Sequence, residues 1–413
     1  MAEALTIGIV GAGGRGSTFA DIIDGLPQWG RVAAVAEPRP EYRDAIVSRF
    51  QVPADRVFAD WRPMADKPRM CDAVIVATPD REHVEPALAF TEKGYHMLLE
   101  KPMATNLSDC QRIAEAQRKA GTVTCVCHSL RYNSAFAALK KVIDDGRIGR
   151  LVTLDQLEQV AWWHQAHSFV RGNWANEGRS SFMLLAKSCH DIDFIAYLAG
   201  ADCQRVQSMG SLLYFRPERA PRGSARRCTE CALEPGCAYS AVKAYVDADR
   251  ETWPAATVSK DHSRAAHLRA IQSGPYGRCV WKCDNDVVDH QVVSMEFEGG
   301  VTATFTMTAF TQKGGRKIRV HGTEGEAEFT EQQMWVRTFA DDRTESVTFD
   351  TEGGSHGGGD ERVVVSFLAA IREKDPRLVL TDVQESLRTH AIVFAAERSR
   401  IQGRLVQMDE MDA

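Results

Sequence analysis

Leu5-Thr6-Ile7-Gly8-Ile9-Val10-Gly11-Ala12-Gly13-Gly14-Arg15-Gly16 is the stretch that decides the fold. An apolar strand runs straight into G-x-G-x-x-G, and a helical pattern through Ile22 and Ile23 follows. A second strand, Arg31 to Ala36, ends at Glu37. Strand, glycine turn, helix, strand and acid, in that order, predict a dinucleotide-binding βαβ unit. Gly11 permits the tight turn, Gly13 lets the backbone approach a pyrophosphate, and Gly16 lets helix and strand pack closely. Gly14 and Arg15 lie in the same loop, where the free N–H groups of the helix start face the phosphates. Glu37, about 20 residues past the last glycine, is placed for the adenosine ribose hydroxyls. A carboxylate there favours NAD. Arg39, two residues on, suits a 2'-phosphate, so NADP stays open.

The alternation continues outward from this unit. Ala73 to Ala77 is a continuous apolar run, as expected of a strand buried on both faces, and it ends in Thr78-Pro79. His83 to Lys93 reads as helix, His96 to Leu99 as strand, and Glu100-Lys101-Pro102 follows. Ser108 to Ala120 reads as helix with Ser108 as its N-cap, and Val123 to Cys127 as a further strand. Strands alternating with helices predict a doubly wound parallel sheet over residues 1–128. Ligands on such sheets sit at the C-terminal strand ends. That places Gly13, Glu37, Thr78, Pro79 and Lys101 around one crevice.

The whole chain has 413 residues, 44% apolar and 26% charged, with a net charge of -6. At roughly 150 residues per domain, two or three domains are expected. No apolar run approaches the roughly 20 residues that span a bilayer. The acidic balance argues against a general nucleic-acid or membrane-surface binder. Met1 to Ile7 shows no basic segment before a long apolar stretch, so a cytoplasmic location is expected.

The Gly11–Gly16 loop, Thr78-Pro79 with His83, and Glu100-Lys101-Pro102 together resemble the glucose–fructose oxidoreductase / inositol dehydrogenase family (Gfo/Idh/MocA). The resemblance covers nearly the whole chain, and E-K-P is its most specific mark. It implies that Lys101 lies between nicotinamide and substrate, and that Glu100 and His83 belong to the cofactor side. It also implies a second domain with a mixed, mostly antiparallel sheet, helices on one face, a substrate site and an oligomer interface, as a homodimer or homotetramer.

The second half, 129–413, reads compatibly on its own residues. Leu151 to Val160, Gln204 to Phe215, Val292 to Phe297 and Val301 to Ala309 read as strands, the last two joined by Glu298-Gly299-Gly300. Hairpins with few helices between them predict an open antiparallel sheet. Residues 216–289 break the strand pattern and read as an insertion.

Ser180 to Gly200 reads as one helix. The family resemblance implies an Asp-x-x-x-His pair here; His190 matches the histidine, but Ala186 stands where the aspartate would be and Lys187 follows it. Lys187 and His190 at i, i+3 would share a helix face. Lys101 is the first candidate for the base that takes a carbinol proton during hydride transfer, His190 the second. Lys187 in place of the acid suits a sugar acid. Trp163, His164, His167, Arg171, Asn173 and Trp174 combine aromatic faces with polar groups, as a polyol ring requires. His356, in a glycine-rich loop, is a further candidate over the sugar.

Cys228-x2-Cys231-x5-Cys237 lies in the insertion, and Cys279-x3-Cys283 follows. Two close thiol groups separated by a loop are how four cysteines reach a tetrahedral site. Structural zinc on Cys228, Cys231 and Cys237 with either Cys279 or Cys283 is the first expectation; free or disulfide-bonded thiols, and after them an iron–sulfur cluster, are the alternatives. The composite expectation is an NAD-dependent dehydrogenase of a sugar, sugar acid, glycoside or inositol hydroxyl. The alternative is a redox-neutral enzyme that oxidises a sugar transiently and eliminates its aglycone.

Overall fold

A computed structural model describes residues 3–350 and 355–411. Its first sheet contains β1 (Leu5–Val10), β2 (Gly30–Ala36), β3 (Val57–Phe58), β4 (Ala73–Val76), β5 (His96–Leu99) and β6 (Thr124–Val126). They lie in the order β3-β2-β1-β4-β5-β6, all parallel. The order reverses at β1/β4, so the crevice opens beyond the ends of those two strands. Every residue of β4 is buried, which accounts for its unbroken apolar run. The helix Leu107–Ala120 begins one residue before the expected Ser108, and its cap is the Asn106 side chain, which accepts from Asp109 N–H.

The second sheet has nine strands. It adds β7 (Leu151–Gln159), β8 (Cys203–Ser211), β9 (His290–Phe297), β10 (Thr302–Thr308), β11 (Gly315–Gly322), β12 (Gly325–Thr330), β13 (Gln333–Thr338), β14 (Thr344–Thr348) and β15 (Val406–Gln407). Their order is β14-β13-β12-β11-β7-β10-β9-β8-β15. Only β7 and β10 run parallel; the other pairs are antiparallel. The β9–β10 hairpin turns through Gly299 (φ 78°) and Gly300 (φ 85°), a backbone region that costs glycine little. Helices Ser134–Asp144, Cys189–Ala199 and Val383–Gln402 contribute to the core against this sheet.

Packing does not follow chain order. The helix Gly359–Glu373 returns to the first sheet, where Val363, Val364, Phe367 and Leu368 join Ile7, Ile9, Ile75 and Leu98 in one core. The helix Val383–Gln402 touches both halves, with Val383 in one core and Ile392 in the other. Between β8 and β9 the insertion has no named strand, and its longest helix is Arg264–Ser273. No described helix is long and apolar enough to cross a membrane.

Candidate active site

The glycine turn has the shape its residues require. Gly11 has φ +87°, and a Cβ there would stand 2.7 Å from Ala77 O. A Cβ on Gly16 would stand 1.9 Å from Gly11 O, while Gly14 has open space above it. The turn therefore keeps this shape, with the helix start open to a phosphate, only while Gly11 and Gly16 stay glycine. Glu37 is buried at the end of β2, and its Oε2 accepts Ala12 N–H at 2.8 Å. Arg39 donates to Glu37 through Nε at 2.7 Å and Nη2 at 3.0 Å. Burial raises the Glu37 carboxyl, but the hydrogen bonds from Arg39 and Ala12 outweigh it and hold the group below its ordinary value. Arg39 also covers Gly13, where a Cβ would meet its Nη2 at 3.3 Å, and stacks on Tyr42.

Three residues expected at the cofactor brace the loops at the crevice. The Arg15 guanidinium pairs with Glu100 at 2.6 Å and Asp360 at 2.6 Å. Glu100 also accepts Lys101 N–H at 2.9 Å, so this network fixes the lysine's backbone. The His83 ring lies between Thr78 O at 2.8 Å and Pro102 O at 2.7 Å, tying the two loops together. Met103 N–H donates to His390 Nε2 at 3.0 Å, and the Nδ1 of that ring faces Ser386 O at 2.7 Å. His390 is therefore a neutral Nδ1–H ring that pins the same loop from the far side; burial, then the nearby His128, pushes its pKa down to about 3.

Lys101 projects from this frame toward the second half. It is half-buried, and its Nζ donates to Ala186 O at 2.7 Å. The expected single helix is broken here: Met183–Ala186 and Cys189–Ala199 are separate, with Lys187 and Ser188 between them. Lys187 and His190 are not an i, i+3 pair on one helix, because the backbone between them is not continuous helix. Lys187 Nζ pairs with Glu158 at 2.6 Å, whereas His190, 4% exposed, packs edge-on against His128.

Glu158 and Asp191 are functional candidates that the sequence reading missed. Arg316 Nε joins them, at 3.1 Å to Glu158 and 2.7 Å to Asp191, and Gln156 donates to Asp191 at 2.6 Å. Burial raises the Glu158 carboxyl despite the opposing charges of Arg316 and Lys187. A sequence signal existed. β7 alternates, with Leu154, Gln156 and Glu158 facing inward, and two polar residues on the inward face of a strand announce a buried network. Lys187 is thus neutralised by Glu158 and is not a spare cation waiting for a sugar acid.

Of the aromatic segment, His164 lies within reach of the charges of Lys187 and Lys101. The His164 ring stacks against Trp163 at 5.7 Å. Burial, then the charges of Lys187, His167, Lys101 and Arg316, pushes its pKa down to about 2. His167 turns into the insertion, with Nδ1 3.1 Å from Tyr245 OH and its ring stacked on Tyr276. Trp174 Nε1 donates to Asp80 at 3.1 Å, joining the Thr78-Pro79 loop to the second half. Asn173 is exposed. His356 falls in the short turn Ser355–Gly358, and its side chain lies outside what the structure describes.

Arg171 is not in this pocket. It is 2% exposed and donates to Arg278 O at 2.7 Å and Tyr239 O at 2.6 Å, with Cys228 Sγ at 3.6 Å. All seven residues of the π-helical turn Gln165–Arg171 are buried, which carries the arginine inward. Arg171→Met is expected to lower stability by about 3 kcal/mol, since it leaves two buried carbonyls unpaired. A urea midpoint that moves without a change in slope checks this.

The cysteines also depart from expectation. Cys228, Cys231, Cys237 and Cys279 line one cavity of about 410 Å³, while Cys283 instead donates to Cys279 O at 3.3 Å. Among the described residues, no group of three or more His, Cys, Asp or Glu side chains is arranged to hold a metal. The structure thus does not support structural zinc or an iron–sulfur cluster. Cys231 Sγ accepts Ala225 N–H, and burial raises Cys237, Cys279 and Cys283, the last to about 11, favouring thiols over the thiolates a metal needs.

A doubly wound nucleotide-binding sheet whose crevice faces a large, mostly antiparallel sheet across a lysine defines a two-domain oxidoreductase. The chain belongs to the Gfo/Idh/MocA oxidoreductase family. The family's NAD-binding Rossmann fold matches residues 5–128 and its C-terminal alpha/beta domain residues 140–408. The chain is 25% identical to the Bacillus subtilis oxidoreductase YteT over 311 residues, 70% of each protein. It is 30% identical to inositol 2-dehydrogenase of Streptomyces avermitilis over 226 residues, 54% of this chain and 60% of that one. Levoglucosan dehydrogenase, solved with NADH and levoglucosan, has the same fold, with a TM-score of 0.72 at 20% identity over 98% of this chain and 99% of that one.

Proposed function

We propose that the protein is an NAD-dependent dehydrogenase that moves a hydride between nicotinamide and a hydroxyl-bearing carbon of a sugar or cyclitol. One observation carries the reading: Lys101, fixed at the end of β5 by Glu100, reaches across the crevice to Ala186 O at 2.7 Å. Its Nζ thereby stands where the nucleotide half meets the substrate half. Bound NAD would supply the hydride acceptor. Lys101 acts as the free amine, takes the carbinol proton and becomes the ammonium, and Ala186 O fixes the direction of its Nζ. His190 stands near as the second candidate base. Glu158, Asp191 and Arg316, with Glu331 behind the arginine, hold Lys187 in one ion-pair network.

Residues 1–128 form the cofactor domain in this reading and 129–413 the substrate and oligomer domain. Val152 and Met209, exposed on β7 and β8, support a homodimer or homotetramer formed on the open sheet face. The related inositol and levoglucosan dehydrogenases support a neutral polyol as substrate. NADH formation from NAD and a panel of inositols, anhydrosugars, glycosides and uronates tests the reading. Oxidation of at least one ring polyol is expected, and aglycone release without NADH would replace it.

Glu37 makes NAD the preferred cofactor, and Arg39 tempers that preference by neutralising the carboxylate. Arg39→Ala is expected to raise the NAD over NADP ratio of kcat/KM by about tenfold, the worth of one charged hydrogen bond. An unchanged ratio would remove Arg39 from cofactor selection.

A further inference from the structure

The insertion meets the Trp163–His164 segment through Trp253. Trp253 packs edge-on against Trp163 with centroids 5.3 Å apart, against His164 at 4.9 Å and against His167 at 5.5 Å. It remains 49% exposed. Trp163 and His164 follow directly from β7, which carries Glu158, the partner of Lys187. The insertion is anchored on the cofactor side as well: Lys260 Nζ lies 4.5 Å from the Tyr42 ring, which Arg39 also covers. An element fixed at both ends of the crevice holds a half-open indole beside the pocket.

Two of the cations near this wall are paired with carboxylates, while Lys101 is held by a backbone carbonyl. Lys187 has Glu158, and Arg316 has Glu158 and Asp191. An aromatic wall beside a polar floor fits a ring that offers a C–H face to the indole and hydroxyls to the polar groups. We propose that Trp253 is a specificity-determining wall of the substrate pocket, stacking on the C–H face of a neutral cyclic polyol. The inference rests on the proposed dehydrogenase reading and adds that the insertion selects the substrate.

The test uses the full-length protein saturated with NAD and four probes: myo-inositol, levoglucosan, methyl β-D-glucoside and glucuronate. Affinity is measured by calorimetry, and KM and kcat by NADH formation. For the neutral probe that binds best, Trp253→Ala is expected to raise Kd and KM about tenfold, with kcat within about twofold and the KM for NAD unmoved. Trp253→Phe, which keeps an aromatic face, is expected to stay within about threefold of wild type. Equal affinity in wild type and Trp253→Ala overturns the inference. So does tighter binding of glucuronate than of every neutral probe, or the absence of binding by all four. A probe bound through Trp253 but never oxidised would overturn the dehydrogenase reading and leave the wall standing. A probe oxidised with the same KM by both proteins would do the reverse.

Discussion

Lys101→Ala is expected to lower kcat for the oxidised polyol by about 10³-fold, within the range that a positioned acid or base contributes. Fold and cofactor binding should persist. The substitution removes the Nζ bond to Ala186 O, worth about 1 kcal/mol, and leaves the backbone bond from Lys101 N–H to Glu100 in place. Lys101→Arg keeps the cation but not its reach or geometry, and is expected to recover less than about a tenth of the lost rate. Steady-state kinetics with NAD saturating, together with thermal unfolding, separate the two effects. A kcat within tenfold of wild type in Lys101→Ala, with the fold intact, would pass the base role to His190.

Acidification is expected to have an effect of similar size on stability. His164, His167 and His390 are pushed down to about 2, 4 and 3, and burial is the first cause in each case. In the unfolded chain each titrates near 6.5. These folded values lie below the unfolded one, so the stabilisation they represent is complete above about pH 6.5 and is lost as pH falls toward the folded values. At pH 5 each histidine contributes a loss of about 2 kcal/mol, about 6 kcal/mol for the three together. That rivals the 5–15 kcal/mol of a typical domain. Urea unfolding between pH 7.5 and 5 checks the prediction. A midpoint falling steeply through this window is expected, and His167→Phe should flatten it by about a third. A flat profile would mean that these rings are solvated or already charged in the native protein.

The nucleotide half was legible because its signals are local. Strand β4 is buried on both faces and so reads as an unbroken apolar run, and the glycine turn needs particular residues at Gly11 and Gly16. The second half was legible where hairpin turns mark it, as at Gly299 and Gly300, but β14 was missed: Thr344–Thr348 has no buried residue to give it a period. The site was harder for a different reason. Lys187 was placed on a helix face because nothing nearby in sequence announces the break at Ser188. Its true partner, Glu158, is on a strand far away in sequence. Arg171 and Trp174 looked like sugar ligands by residue type, yet one is enclosed by the insertion and the other is bonded to Asp80. Residue chemistry along a segment does not say which neighbour the segment will meet.

The most direct test of the central claim is isotope transfer. Carbon-deuterated myo-inositol and levoglucosan are incubated with the NAD-loaded protein, and the nicotinamide is analysed for deuterium at C4. Hydride transfer at the Lys101 crevice predicts one deuterium on that carbon for the polyol that turns over, and about 10³-fold slower labelling in Lys101→Ala. A polyol consumed with no label on the nicotinamide would contradict the account.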